Sequence, residues 1–392
     1  ISGRSTTLLN GTWNYIVDPY ENGFYNYRYI PFDNDANPAK SGGFFANQKP
    51  VERWERVEYD FDRSEEIQVP GDWNSQKENL YYYEGTIWYK QSFDYTKQEK
   101  SHRVFVHFGA SNYQADVYLN GHKLGMHKGG FTPFNFEITD LLKDTDNFLV
   151  VKVDNKRKKD EVPTVNTDWW NFGGLTRDVT LVEVPATFVS DYFIQLEKHS
   201  SNKIAGYIQL DGAGKANQKL ELRIPGLKIK KKYRTDASGR VKIEISSKRI
   251  KHWSPEDPVL YDVKIKSSGV EITDKIGFRT IETQGADILL NGKSMFLRGI
   301  CLHEENPLKG ARAYSREDAE LLFGWVKELG CNYVRLAHYP HNEHMLRLAD
   351  EMGILVWEEN PVYWTISWEN EQTYATAQQQ LSEVISRDKN RA

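Results

Sequence analysis

The chain has 392 residues and a net charge of −4, from 51 Lys and Arg against 55 Asp and Glu. A charge this small and mixed argues against a nucleic-acid or membrane-surface partner, and no apolar run approaches the roughly 20 residues of a membrane span. The length predicts two to four domains at roughly 100–200 residues each.

Residues 1–186 predict an antiparallel β-sandwich. Apolar and polar residues alternate through short segments, one of which places Ala115, Val117 and Leu119 just before an Asn-Gly pair at 120–121. A period of two followed by this hairpin turn is typical of antiparallel strands. Residues 187–284 repeat the pattern on a smaller scale and predict a second β-sandwich.

From about residue 285 the pattern changes to strands that alternate with helices. We predict strands over residues 295–302, 332–338 and 354–359. One helix opens at Ser315, with Asp318 completing a capping box, and the next helix stops at Gly353. A last helix is predicted from five apolar residues at helical spacing: Tyr374, Ala377, Leu381, Val384 and Ile385. Residues 285–392 therefore predict the first three units of a (β/α)₈ barrel, and we expect about five further units outside this sequence.

The two cysteines, Cys301 and Cys331, exclude a disulfide framework and a cysteine-based metal site. Cys301 is predicted near the carboxyl end of one barrel strand, whereas Cys331 comes just before the next strand begins. These heights differ by more than the Cα separation of about 4.4–6.8 Å that a disulfide requires. We therefore expect both cysteines to be reduced and unpaired.

Polar side chains follow each predicted barrel strand. They are His303 and Glu304 after the first strand, Arg335 and His338 at the end of the second, and Glu358 and Glu359 at the end of the third. Active sites of such barrels lie at the carboxyl ends of the strands. The sequence therefore predicts one site at this edge.

Several runs resemble glycoside hydrolase family 2, which includes β-glucuronidases and β-galactosidases. They are residues 332–340 (NYVRLAHYP), 350–357 (DEMGILVW), 297–304 (LRGICLHE) and 172–179 (FGGLTRDV). The resemblance implies a jelly-roll-like galactose-binding sandwich, an immunoglobulin-like sandwich and a TIM barrel. It also implies a retaining exo-β-glycosidase, which uses two carboxylates about 5–5.5 Å apart. The family carries both glutamates on later barrel strands, so we expect this chain alone to be inactive. The Asn370-Glu371 pair is predicted to be a helix start instead of the acid/base.

The resemblance also implies roles for individual residues. Arg335 would support the nucleophile, with a structural ion pair to Glu358 or Glu359 as the alternative. The substrate-binding residues would be Asp168, His303, Glu304 and His338; a loop-capping role for Asp168 and buried structural histidines are the alternatives. The run 168–174 (DWWNFGG) favours a β-glucuronidase over a β-galactosidase.

No cofactor and no metal are predicted. The spacing of His338, His341 and His344 does not promise a shared zinc shell. Tyr363 stands where certain galactosidases of the family carry a magnesium-binding glutamate.

The expected partner is a glycan or glycoconjugate substrate, with no nucleic acid and no membrane span, and assembly as a homo-oligomer is left open. The chain begins at Ile1 without a leader, so we expect an N-terminal segment to have been removed, which by itself leaves the compartment open. A periplasmic or secreted location is our separate prediction. The alternative function is a non-catalytic carbohydrate-binding protein. A binding module would not require Arg335, His303 and His338 at barrel strand ends, which favours the enzyme.

Overall fold

The computed structural model describes residues 3–34, 42–49, 54 and 59–392. Two facing antiparallel sheets come first, in the orders β1-β10-β5-β8 and β3-β2-β4-β9-β6-β7. Their strands are β1 (Ser5–Leu8), β2 (Gly11–Val17), β3 (Glu65–Val69), β4 (Thr86–Phe93), β5 (Arg103–Phe108), β6 (Gln114–Leu119), β7 (His122–Lys128), β8 (Phe134–Glu137), β9 (Asn147–Asp154) and β10 (Val179–Val184). The predicted alternation is present, because Val104, Val106 and Phe108 of β5 are all buried between the sheets.

The second sandwich packs a three-stranded sheet on a four-stranded one, in the orders β11-β12-β15 and β14-β13-β16-β17. Its strands are β11 (Phe188–Leu196), β12 (Lys203–Asp211), β13 (Lys219–Ile224), β14 (Ile229–Arg234), β15 (Arg240–Ser246), β16 (Tyr261–Ser267) and β17 (Val270–Ile276). In β15, Val241, Ile243 and Ile245 are buried while their neighbours are exposed. A slip of one residue would turn all three outward, so this face fixes the register.

A small antiparallel sheet of β18 (Ile281–Gln284), β19 (Asp287–Leu290) and β20 (Lys293–Ser294) follows. It spans the predicted boundary between residues 284 and 285, which stays a prediction. Next come β21 (Gly299–Leu302), the short pair β22 (Glu305–Asn306) and β23 (Ala311–Arg312), then β24 (Tyr333–Leu336) and β25 (Leu355–Glu358). Strands β21, β24 and β25 form a parallel sheet in that order, as a barrel start requires. Each is shorter than predicted.

Four α-helices occur in the described residues: α1 (Trp73–Gln76) in the first sandwich, and α2 (Arg316–Glu328), α3 (Glu343–Met352) and α4 (Glu371–Asp388) beside the parallel sheet. The predicted capping box is confirmed, with Ser315 and Asp318 each accepting a backbone N–H of the other. Gly353 ends α3 at φ 68°, a conformation that a side chain would strain. None of the described helices is both long and apolar enough to cross a lipid bilayer.

Helix α4 differs from the prediction in the face that it buries. Tyr374, Leu381 and Ile385 are largely exposed, and the buried residues are instead Thr373, Thr376, Ala377, Gln380 and Val384. The polar members of this face bind the first sandwich: Gln380 Nε2 donates to the Val162 carbonyl at 2.8 Å. Glu383 accepts from His127 Nε2 at 3.1 Å and from the Thr132 hydroxyl at 2.6 Å. Hydrogen bonds to another domain therefore outweigh apolar periodicity in orienting this helix.

Candidate functional site

The candidate site lies where the three parallel strands end. The pairing register places one residue of each strand in a single row, on one face of the sheet: Cys301, Arg335 and Trp357. The Arg335 guanidinium donates from Nε to Glu359 Oε1 at 2.5 Å and from Nη2 to Oε2 at 2.9 Å. This two-point contact fixes the plane of the guanidinium as well as its charge. Glu358 points to the opposite face, where it accepts from Arg387 at 2.7 Å.

His338 contacts both members of this ion pair. Its Nδ1 lies 3.2 Å from Arg335 Nη2 and 3.4 Å from Glu359 Oε2. Burial, and then the neighbouring charge of Arg335, lower the pKa of His338, so the imidazole is neutral at pH 7. Nδ1 has hydrogen-bond geometry with Arg335, which only donates, and we therefore assign the ring proton to Nε2. His338 therefore presents an N–H donor to the site.

A loop of the first sandwich reaches the same place. Tyr363 donates its hydroxyl proton to Asp168 Oδ2, and its ring centroid lies 4.4 Å from that of His338. Trp169 packs on the other rings, with centroids 5.8 Å from His338 and 5.1 Å from Tyr339. The sandwich is thus docked on the strand ends. Asp168 lies beside the site, although every barrel residue of the site follows it by 135 residues or more in sequence.

His303 completes the cluster, because its ring centroid lies 5.4 Å from that of His338, in an edge-to-face arrangement. The structure therefore brings together four of the predicted site residues: Asp168, His303, Arg335 and His338. Their roles stay predictions at this point.

The prediction that Glu304 binds substrate is corrected here, because its side chain does not face the open site. Its side chain is fully buried, and it accepts from Arg177 Nη2 at 3.0 Å and from Arg312 Nη2 at 2.8 Å. Burial alone would raise its pKa, but the two arginine charges lower it to about 2. Strand β21 ends at Leu302, and the chain then turns Glu304 toward the sandwich. We assign Glu304 a structural role between the domains instead of a substrate contact.

Sequence reasoning missed Trp169 and underrated Tyr363 and Glu359. Trp169 follows the predicted Asp168 directly, and this adjacency was the available signal. Glu359 lies two residues after Trp357, the residue paired with Arg335, so strand alternation places it on the same face. Tyr363 lies in a loop, where no periodicity indicates direction.

Within the described ranges, no group of three or more His, Cys, Asp and Glu side chains is arranged to hold a metal ion. The histidines at 338 and 341 differ in environment, since His341 is fully buried and its Nε2–H donates to the Ala337 carbonyl at 3.1 Å. Both cysteines are free, with Cys301 exposed and Cys331 buried, which confirms the prediction that they are unpaired.

Burial lowers the pKa of His341 to about 4, from an ordinary value of 6.5, and this shift predicts a pH-dependent stability. Between pH 6.5 and 4 the unfolded chain takes up a proton that the folded chain refuses, so the free energy of unfolding falls by about 3 kcal/mol over this window as pH decreases. His341→Gln removes this titration. Urea unfolding at pH 7, 5.5 and 4 should show a flatter pH dependence for this variant than for the wild type.

The matched control is the same change at the exposed His122. Parallel curves for wild type and His341→Gln would show that the pKa of His341 is the same in the folded and unfolded states, contrary to this prediction.

Known proteins match the chain almost from end to end. Residues 8–185 match the family description "Glycosyl hydrolases family 2, sugar binding domain", residues 187–279 match "Glycosyl hydrolases family 2", and residues 281–392 match "Glycosyl hydrolases family 2, TIM barrel domain". The three matches confirm the predicted fold class: a sugar-binding sandwich, an immunoglobulin-like sandwich and the beginning of a TIM barrel.

Individual relatives are named either β-galactosidase or β-glucuronidase. A β-galactosidase of Thermoanaerobacter pseudethanolicus is 33% identical over 331 residues, which are 79% of this chain and 43% of that protein. A β-glucuronidase of Paenibacillus borealis is 27% identical over 369 residues, 82% of this chain and 60% of that protein. The solved structure of Bifidobacterium dentium β-glucuronidase complexed with coumarin-3-O-glucuronide superposes with a TM-score of 0.84 at 25% identity, covering 100% of this chain and 67% of that one.

The chain spans less than two thirds of the length of these two curated relatives. Across the three family matches, the resemblance inferred from the strand-end motifs is confirmed, and the chain belongs to glycoside hydrolase family 2.

Proposed function

We propose that the full-length protein is a retaining exo-β-glycosidase that removes a terminal β-linked sugar, with a β-glucuronide as the preferred substrate and a β-galactoside as the second. The observation that carries this proposal is the convergence of Asp168, His303, Arg335 and His338 at the carboxyl ends of the parallel strands. β-Glucuronidases and β-galactosidases among the relatives support it.

In this proposal each residue has a distinct task. His338 donates its Nε2–H to a hydroxyl of the bound sugar, and Asp168 accepts a hydrogen bond from another hydroxyl, as it does from the Tyr363 hydroxyl in this structure. His303 lies next to His338 and offers a further hydrogen bond. These contacts orient the terminal sugar, and holding it in one reactive geometry is a large part of the catalytic effect.

Arg335 acts through charge. A guanidinium close to a carboxylate favours the ionised form of that carboxylate, which keeps a nucleophile ready to attack. Its contact with Glu359 holds the guanidinium in place. The nucleophile and the acid/base are the two glutamates that the family carries on later barrel strands, so the 392-residue chain alone is proposed to bind but not to hydrolyse.

The test uses 4-nitrophenyl β-D-glucuronide and β-D-galactoside with the full-length protein and with the 392-residue chain. We expect hydrolysis only by the full-length protein, faster for the glucuronide, and NMR of the first product should show the β-anomer because the mechanism retains configuration. Binding of sugars by a full-length protein that releases no nitrophenol would instead favour the carbohydrate-binding function.

We also propose a substrate class and a cellular location for the enzyme. A glycan or glycoconjugate is the proposed substrate and the periplasm or the exterior of the cell the proposed location. Light scattering of the purified protein will decide whether it assembles as a homo-oligomer.

A further inference from the structure

Three aromatic side chains of the first sandwich form an exposed cluster, here called the aromatic trio. Tyr81, Tyr82 and Trp170 are 45%, 83% and 37% exposed. The ring centroid of Tyr81 lies 4.8 Å from that of Tyr82 and 5.0 Å from that of Trp170, and Tyr82 and Trp170 are 5.7 Å apart. Large rings that pack on one another in water leave costly apolar area exposed, which marks a binding surface more often than a scattered single residue does.

The trio borders the candidate site. Trp170 lies two residues after Asp168, and Trp169 between them packs on His338. A cavity of about 410 Å³ is lined by Tyr81 and Trp170 on the sandwich side and by His303 on the barrel side. A molecule bound at the strand ends that extends toward the sandwich therefore meets the rings of Tyr81 and Trp170, and Tyr82 extends this surface outward because its ring packs on both.

The trio is held in place before any ligand arrives. The buried Asn74 donates from Nδ2 to the carbonyls of Leu80 and Tyr81, at 3.1 Å each. Its Oδ1 accepts from the backbone N–H of Gly173 at 2.9 Å. One side chain thus joins the segment that carries the two tyrosines to the loop that carries Trp170. A platform fixed in this way loses little freedom on binding, which favours affinity.

We propose that the aromatic trio is a stacking platform for the leaving-group sugar, the neutral pyranose ring on the far side of the bond that is cut. This inference rests on the proposed glycosidase function. A pyranose ring has a face of C–H groups that packs on aromatic rings and an edge of hydroxyl groups that seeks polar partners. Glu305, half-buried on the barrel side of the same cavity, offers acceptor oxygens for such hydroxyls and would repel an anionic leaving group.

The experiment compares two substrates with the same terminal sugar in the full-length protein: a methyl β-glycoside, which has no ring in its leaving group, and a disaccharide whose leaving group is a neutral pyranose. Trp170→Ala and Tyr82→Ala should each lower kcat/KM for the disaccharide about five- to ten-fold, mostly through KM. The value for the methyl glycoside should change less than two-fold. Trp170→Phe and Tyr82→Phe retain a ring and should recover most of the loss.

Tyr27→Ala is the matched control, because Tyr27 is also a highly exposed tyrosine of the first sandwich but lies outside the trio. Equal losses on both substrates, or unchanged kinetics accompanied by a lower melting temperature, would overturn the platform and make the trio a structural contact. If the wild type cleaves neither substrate, the glycosidase function fails; if it cleaves both and the trio variants match it, only the platform fails.

Discussion

Replacing Arg335 with alanine in the full-length protein should lower kcat by about 10²–10³-fold, the loss expected when one preorganised electrostatic contact is removed from an active site. The expected loss of stability is small. The Arg335 side chain is 32% exposed and that of Glu359 is 14% exposed, so the ion pair is partly accessible to water. Pairs of this kind contribute about 0–1 kcal/mol, because water competes for both partners.

The pH dependence separates this role from a structural one. If Arg335 keeps the nucleophile ionised, its removal raises the pKa of that carboxylate, and the acidic limb of the kcat/KM profile moves to higher pH. The measurements are the pH–rate profile and thermal unfolding of the same preparations. Arg316→Ala is the control, since Arg316 also makes ion pairs, with Glu320 and Glu351, but lies on the outer helix α2. An unchanged profile with a large loss of stability would make Arg335 a structural residue.

Glu304→Gln should lower the free energy of unfolding by about 3–5 kcal/mol, the range for breaking a buried ion pair from one side. The substitution leaves Arg177 and Arg312 buried without their anion. Burial already lowers the pKa of Arg177 to about 10 against the attraction of Glu304, which shows how unfavourable this environment is for an unpaired cation. Urea unfolding followed by circular dichroism measures the effect.

The size of this effect should depend on pH. The pKa of folded Glu304 is about 2, below its ordinary value of 4.5. Its ionisation therefore stabilises the fold fully above pH 4.5, and this contribution is lost as pH falls toward 2. The wild type and the variant should differ most at neutral pH and converge in acid. Glu320→Gln, on an exposed pair with Arg316, is the control and should cost less than about 0.5 kcal/mol. A loss below 1 kcal/mol at Glu304 would contradict the assignment.

Local sequence signals located most of the elements. Alternation of Ala115, Val117 and Leu119 identified β6, and capping residues at Ser315 and Gly353 placed helix ends, because these features depend on neighbours a few residues away. The cluster of Arg335, His338 and His303 was predictable for a related reason, since consecutive parallel strands end at one edge. The proximity of Asp168 came from the family resemblance alone.

The sequence did not allow us to predict which way a side chain points at a domain boundary. Glu304 follows His303 immediately, yet one side chain faces the site and the other is buried between Arg177 and Arg312. The outcome depends on two arginines from different domains, 127 and 8 residues away. Local sequence patterns do not reveal partners from another domain. For the same reason, apolar spacing predicted the wrong buried face for α4.

The polar contact between α4 and the first sandwich has a consequence for recombining these domains. Glu383 keeps its hydrogen bonds only against a sandwich that has a histidine and a threonine at the positions of His127 and Thr132. Gln380 likewise needs the backbone carbonyl of Val162 as its acceptor. A chimera that takes its sandwich from a relative would leave the buried Gln380 and the partly buried Glu383 without these partners, at about 1–3 kcal/mol for a buried group. The two modules are therefore expected to be inherited as a matched set, and a successful swap must transplant the inward face of the helix together with the sandwich.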